Sequence, residues 1–231
     1  MTSGDHWTAF WTRSGRDSDG QDAQSRVMRT ENKQPISVDR WNSTVAYILD
    51  KFPINRDARL LDICAGNGLF SRQFAEQGAT VHAIDISPDL LAAIPVDRYP
   101  KLSTQCADMR DLSFPQDEYS HIFLYAGIQY LTYAEAIELL RKCQKWLLPG
   151  GRMMIGDVPD QERLWHFYNN AERRNTYFTH AVKGEDIIGT WFEKSWLENL
   201  AEHAGFSSVV TQNQPPDQIY AHYRYDAFLT K

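Results

Sequence analysis

Cysteine is scarce in this sequence. Cys64, Cys106 and Cys143 stand far apart, an odd number with no Cys-x-x-Cys spacing. That excludes a disulfide framework and the usual zinc-ligand spacings, and it reads as reduced, structural thiols in a cytoplasmic protein. Long apolar runs are missing as well. Nothing approaches the roughly 20 residues of a membrane span, and mean hydropathy is -0.51. The polar stretch MTSGDHWTAFWTRSG has no apolar h-region, so no export signal is expected. Positive charge is not in excess, with 24 Lys+Arg against 30 Asp+Glu and a formal net charge of -6. No nucleic acid and no anionic membrane is therefore expected as a partner. Internal repeats, low-complexity tracts and Gly/Ser linkers are absent too. Residues 12–35, polar and containing Gly15 and Gly20, come closest to a flexible stretch.

What is present suits one medium domain: 231 residues, 42% hydrophobic and 13% aromatic. A helix is expected after the N-cap Ser37, with Trp41, Val45, Ile48, Leu49 and Phe52 at helical spacing before Pro53. Strand and helix signals then alternate. Strands are expected at 59–63, 80–86, 103–107, 121–125 and 152–156, and helices at 69–76, 89–94 and 132–147. Thr132-x-x-Glu135 reads as a capping box, as does Ser195-x-x-Glu198 before a helix closed by Gly205. The last two runs, 208–212 and 222–230, suit an antiparallel pair. Repeated β-α-β units with near-continuous apolar strands imply an α/β sandwich with a parallel sheet between helices. Ligands on such sheets bind at the carboxyl ends of the strands, so the residues just after each strand carry the interest.

The first strand ends in Asp62-Ile63-Cys64-Ala65-Gly66-Asn67-Gly68-Leu69. Two glycines allow a tight turn and open space at a helix N-terminus. A dinucleotide fingerprint would place a third glycine where Ser71 stands. Asp62, inside the strand, would repel a pyrophosphate but suits an ammonium group or an ordered water. The second strand ends in Asp85, which either accepts hydrogen bonds from ribose hydroxyls or caps the next helix. After the third strand, Asp108 either accepts from an adenine amino group or is a turn acid, and Met109 would pack on the ring.

These segments together resemble class I S-adenosylmethionine-dependent methyltransferases. LLDICAGNGLFSRQFAEQGATVHAIDIS is similar to the family's first two motifs. CADMRDLSFPQDEYSHIFLYAGIQYL and WLLPGGRMMIGDVP are similar to later ones, in the family's order. The likeness covers roughly residues 59–158, and the closing helix and strand pair fit as well. The family's usual Asp-x-Gly-x-Gly-x-Gly is altered around Cys64, Ala65 and Leu69. The resemblance implies a Rossmann-like, three-layer sandwich on a mostly parallel seven-stranded sheet with a C-terminal antiparallel pair. It divides the chain into an N-terminal helical arm or lid (1–58) and a methyltransferase domain (59–231) with a cap insertion at about 160–184. It implies S-adenosyl-L-methionine as cofactor and S-adenosyl-L-homocysteine as product. Gly66, Asn67 and Gly68 would line the methionine part, with Asp62 orienting its amino group directly or through water. Asp85 would hold the ribose, Asp108 and Met109 would read the adenine, Ile86 would be a further cofactor-binding residue, and Tyr125 would lie near the sulfonium or serve as a core aromatic.

Trp7, Trp11 and Arg29 precede the first long helix. A mobile aromatic segment there would close over the cofactor with Arg29 on its carboxylate; the other reading is a packed arm with a solvated arginine. If the acceptor must lose a proton, His180 and His166 are the candidate bases, because both lie in the aromatic insertion. That insertion is either a cap over the acceptor pocket or an ordinary packed helix. Gln129 and Tyr130 follow the fourth strand and are candidate acceptor contacts. Tyr125-Ala126-Gly127-Ile128 stands where amino-methylating nucleic-acid and protein-glutamine enzymes carry Asn/Asp-Pro-Pro-Tyr/Phe. A small-molecule acceptor methylated on oxygen or nitrogen is therefore expected, on a monomer or homodimer. The runs IGDVPDQERLWHFYN, IGTWF and RTENKQPIS are similar to a bacterial subset linked with sugar modification. Two rivals stand beside this reading. One is a non-catalytic module that binds the same cofactor. The other is a nicotinamide-dependent reductase, against which Tyr47-x-x-x-Lys51 lies upstream of the glycine loop.

Overall fold

The computed structural model describes residues 3–185 and 187–231. Met1 and Thr2, at the start of the expected arm, lie outside the described residues. Seven strands form the main sheet: β1 (Arg59–Ile63), β2 (Thr80–Asp85), β3 (Leu102–Cys106), β4 (Tyr119–Tyr125), β5 (Leu147–Pro159), β6 (Ser208–Asn213) and β7 (Arg224–Thr230). Their spatial order is β3-β2-β1-β4-β5-β7-β6. The first five run parallel, and β7 is antiparallel to both β5 and β6. This is the α/β architecture expected from the alternating signals. The order reverses at β1, which pairs with β2 on one side and β4 on the other. The crevice outside β1 and β4 is thus the topological switch point.

Six longer helices accompany the sheet: α1 (Ser3–Asp17), α2 (Val38–Lys51), α3 (Leu69–Glu76), α4 (Tyr133–Trp146), α5 (Ala171–Ala181) and α6 (Lys194–Ala204). Because successive strand residues face opposite ways, the core splits in two. Leu60 and Phe123 pack with Val45, Ile48, Phe70 and Phe74 of α2 and α3. Leu61 and Ile122 pack with Leu139, Leu140 and Leu197 of α4 and α6. A third cluster of Leu164, Tyr168, Trp191 and Tyr223 stands apart and packs the stretch after β5 against the residues just before β7.

Local chemistry explains most boundaries. Ser37 caps α2 by accepting from the Arg40 N–H. Thr132 and Glu135 form the reciprocal capping box of α4. Gly205, left-handed at φ 96°, ends α6. The second capping box is not made. Here α6 starts at Lys194 after Glu193, and Glu198 instead accepts from the Thr211 hydroxyl of β6. The 12–35 stretch is ordered rather than flexible. It holds the end of α1, a short helix Ala23–Arg26, and a two-residue hairpin of Thr30–Glu31 with Gln34–Pro35. Gly15 is one reason: a Cβ there would lie 2.2 Å from Ser87 Oγ, so only glycine lets α1 rest on the turn after β2.

Among the described residues, no helix is long and apolar enough to cross a membrane. The α4 capping box gives a direct check. Thr132→Ala removes the acceptor for the Glu135 N–H and lowers unfolding free energy by about 1 kcal/mol. Urea denaturation with an unchanged midpoint would contradict this.

Candidate functional site

A cavity of about 360 Å³ opens at the carboxyl edge of the parallel strands, a size within the range of small-ligand sites. Each of the first five strands supplies it with residues from its end or the turn that follows: Ile63 and Cys64, Ile84 to Ile86, Ala107 to Met109, Tyr125 and Ala126, and Asp157. Three of these hold left-handed backbone without being glycine: Cys64 at φ 61°, Ala126 at 53° and Asp157 at 59°. Such conformations cost about 1–3 kcal/mol each and collect at functional sites. Asp157 lies where β5 shifts register against β7, between Ile155 and Val158.

The glycine loop packs against the N-terminal arm. Gly66 has φ 56°, and a Cβ there would meet Val27 Cγ1 at 2.9 Å. The Asp85 carboxylate ties the loop to the next turn, accepting from the Gly66 N–H at 2.8 Å and the Ser87 N–H at 2.9 Å. Burial lifts its pKa, and these N–H bonds counter the rise. Ser87 caps the following helix by itself, and Asp85 still lines the cavity beside Ile86 and Leu90. Asp62, Asn67 and Gly68 are outside the cavity lining. Asp62 accepts from the Ser71 hydroxyl beneath the loop. Asn67 donates to the Ala23 carbonyl at 2.7 Å, which ties arm to loop. A Cβ on Gly68 would strike Ile94 at 2.9 Å. These three shape the loop from behind, because the chain turns immediately after β1 and buries them.

Asp108 and Met109 reach the cavity wall, but Asp108 is already engaged. Its Oδ1 accepts from the Arg110 Nε at 2.9 Å, and the same guanidinium donates to Oδ2. Burial pushes the Asp108 pKa up, and the bonds to Arg110 outweigh it and hold the carboxyl below its ordinary value. Arg110 also reaches Glu135 and the Thr8 hydroxyl at 3.3 Å, anchoring α1 across the opening. Trp7 lies 4.8 Å from Tyr130, centroid to centroid, and Trp11 5.8 Å. Gln129 and Tyr130 both line the space.

The densest charge chemistry is at the β4–β5 side. Arg29 is buried, not solvated, at 6% exposure. It donates to the Tyr125 hydroxyl at 2.7 Å, lies 4.7 Å from that ring's centroid, and pairs with Asp157 at 3.8 Å. Arg224 pairs with the same carboxylate at 3.4 Å and donates to the Asp157 carbonyl. Asp157 and Arg224 carried no role in the sequence reading. Two signals were there: Asp157 follows a strand end, and Arg224 with Asp226 puts two charges at alternate positions of an apolar run.

Neither histidine of the insertion reaches this space. His166 is exposed, with its ring at the His222 carbonyl, 3.0 Å away. His180 lies in the last turn of α5 against Glu185 at 2.9 Å. The insertion breaks after Phe167 and restarts at Asn170, which caps α5. The spacing of Leu164, Phe167, Tyr168 and Ala171 therefore does not run on as one helix, and only Phe167 of it lines the cavity. Tyr47, of the reductase-like pair, donates to Asp226 and accepts from Gln212, bracing β6 and β7 outside the cavity lining.

Comparison with known proteins gives the same direction. Residues 60–151 match a family profile described as a methyltransferase domain. The bifunctional biotin-biosynthesis protein BioHC of Cellvibrio japonicus is 32% identical over 57% of this chain and 27% of its own length. A phosphoethanolamine N-methyltransferase of Plasmodium falciparum is 30% identical over 50% of this chain and 45% of its own. The chain thus spans less than half the length of these two relatives. A solved S-adenosylmethionine-dependent methyltransferase from Mesorhizobium loti shares the fold at TM-score 0.62 and 17% identity, covering 83% of this chain and 98% of that one.

Asp62 offers a test of the loop's electrostatics. Burial, opposed by the Ser71 bond, raises its folded-state pKa from 3.8 to about 7, so the native state holds a proton that the unfolded chain releases. The associated stability is full below about pH 4 and is lost as pH climbs through about 7. Asp62→Asn removes that contribution. Melting temperature measured from pH 4 to 8 falls less steeply in the variant, and superimposable profiles would contradict the assignment.

Proposed function

We propose that the chain, of which residues 60–151 match a methyltransferase-domain profile, is a class I S-adenosylmethionine-dependent methyltransferase that transfers the methyl group of S-adenosylmethionine to a small-molecule acceptor. One observation carries the reading. A single cavity joins Gly66, Asp85, Ile86, Met109 and Tyr125 at the switch point to polar groups beyond β4. The residues suit that cofactor. Asp85 retains acceptor capacity for ribose hydroxyls, since each carboxylate oxygen has two lone pairs. Ile86, Leu90 and Met109 give an apolar seat for adenine. Arg29 has a buried Nε without a partner, which suits the methionine carboxylate. Asp62, Asn67 and Gly68 act by fixing the loop's shape.

S-adenosylmethionine supplies an already activated methyl group on a sulfonium, open to in-line attack by an acceptor oxygen or nitrogen. The chain's own work is then alignment and exclusion of water, and orientation contributes roughly 7–11 kcal/mol of barrier reduction. The Trp7 and Trp11 cover performs the exclusion, with the 1–58 arm as lid and the 160–184 insertion as cap. Tyr125, Gln129, Tyr130, Asp157 and Arg224 face the acceptor. Polar side chains there favour an enzyme over a non-catalytic sensor, whose pocket would need none. Among the described residues no histidine lines the cavity, so the reading assigns none as base. The relationship to a phosphoethanolamine N-methyltransferase supports a small, polar acceptor. Sugars belong to that class.

Calorimetric titration checks the cofactor. S-adenosylmethionine and S-adenosylhomocysteine bind at micromolar concentration, while NADH and NADPH give no heat. Asp85→Ala weakens the adenosyl ligands about ten-fold or more, from loss of charge-assisted bonds worth roughly 1.5–3 kcal/mol; unchanged affinity in a folded variant would sink the ribose assignment. Removal of a true general base costs roughly 10²–10⁴-fold in turnover. His166→Ala and His180→Ala instead leave S-adenosylhomocysteine production near the parent rate, and a drop of that size would restore them as bases.

A further inference from the structure

We infer that the acceptor side of the cavity is built to receive an oxyanion, a phosphoryl, sulfonyl or carboxyl group carried by the acceptor, with Arg224 as its principal contact. The inference rests on the methyltransferase reading and names the acceptor's chemistry.

Position comes first. Because β7 is antiparallel, its first residue, Arg224, lies at the same edge as the carboxyl ends of β1–β5. In the sheet order β7 is three strands from β1, about 14 Å at the usual strand spacing. The cofactor-type residues lie on β1, β2 and the turn after β3. Arg29, within 5.8 Å of the Phe70 ring in the first turn of α3, keeps to the cofactor's side. Arg224 is left facing the far end.

Charge comes second. Arg29 and Arg224 are each 6% exposed and Asp157 is 2% exposed. Two guanidiniums thus share one carboxylate away from solvent. The other nearby acids are committed elsewhere. Asp85 holds the loop N–H groups, Asp108 holds Arg110, and Asp226 accepts from the Asp157 N–H, Gln214 and Tyr47. With the methionine carboxylate at Arg29, Asp157 balances Arg224 overall, but through a 3.4 Å contact with a carboxylate that Arg29 shares, so Arg224 keeps capacity for a further oxyanion contact.

Geometry comes third. The Arg224 guanidinium lies 5.4 Å from the Tyr220 ring centroid and 5.1 Å from that of Tyr223, which restrains its plane. Its Nε is buried and without a partner. Tyr220, Tyr223 and Arg224 all line the cavity. A planar guanidinium with an unpartnered Nε is well matched to the oxygens of such anions.

The test uses inorganic phosphate as probe, titrated calorimetrically into protein saturated with S-adenosylhomocysteine, with chloride holding ionic strength constant. Phosphate is expected to bind without displacing the adenosyl ligand. Arg224→Gln weakens phosphate about ten-fold or more. Arg224→Lys keeps a cation beside Asp157 but loses the planar fork and is also expected to weaken phosphate, which keeps the test alive if Arg224→Gln does not fold. Competition between phosphate and S-adenosylhomocysteine would overturn the inference, placing the anion in the seat assigned to the methionine carboxylate. Phosphate affinity indifferent to both Arg224 substitutions would overturn it as well. Failure of S-adenosylhomocysteine itself to bind is a separate result: it removes the methyltransferase reading, and this inference with it.

Discussion

The Asp157 carboxylate, shared by the guanidiniums of Arg29 and Arg224, is the junction on which the site depends. Three distant stretches of chain meet there: the N-terminal arm, the end of β5 and the start of β7. The Coulomb attraction is strong because the groups are buried, and for the same reason no member can be removed without leaving an uncompensated charge. Asp157 reaches the junction only through a left-handed backbone at φ 59°, where β5 loses register with β7. The antiparallel pair that closes the sheet therefore also carries a cation into the cavity. In the proposed reading one guanidinium serves the cofactor and the other the acceptor, so the junction would couple the two binding events.

Around that junction the parallel sheet does the positioning. Strands buried on both faces end together at one edge, and the switch point between β1 and β4 leaves a crevice there. Turning abruptly at Cys64, Ala126 and Asp157 keeps side chains short and the backbone close to the space. The arm then covers it. Arg110 reaches from Asp108 to Thr8, and Trp7 and Trp11 pack on Tyr130, so contacts run from the turn after β3 through α1 to the residues after β4. A methyl transfer that needs alignment and dryness more than proton transfer is suited by such a shell.

The sheet was legible in the sequence because its signals are local and redundant. Apolar five-residue runs, a glycine turn and caps at Ser37 and Thr132 each point to the same element boundaries, and the strand-end rule led to Asp85, Asp108 and Met109. What escaped the sequence depends on tertiary contact. Residues 12–35 read as the nearest thing to a flexible stretch because the contacts of Gly15 with Ser87 and of Ala23 with Asn67 are not visible at short range. Asn67 and Gly68 were expected to line the methionine part and Asp62 to reach its amino group directly or through water; all three are buried outside the cavity lining. The histidines drew notice by their place in the insertion, yet His166 is held at the His222 carbonyl and His180 at Glu185, both outside the cavity lining. Arg224 was passed over because a single arginine within a strand run carries no motif; only the fold brings it to Asp157.

The most direct test of the central claim is a crystal structure of the protein grown with S-adenosylhomocysteine. The account predicts density in the cavity with the ribose at Asp85, the adenine between Ile86 and Met109, and the carboxylate at Arg29, leaving the Arg224 side open. Density elsewhere on the surface, or an adenosyl group seated over Arg224 with the β2 end vacant, would contradict it.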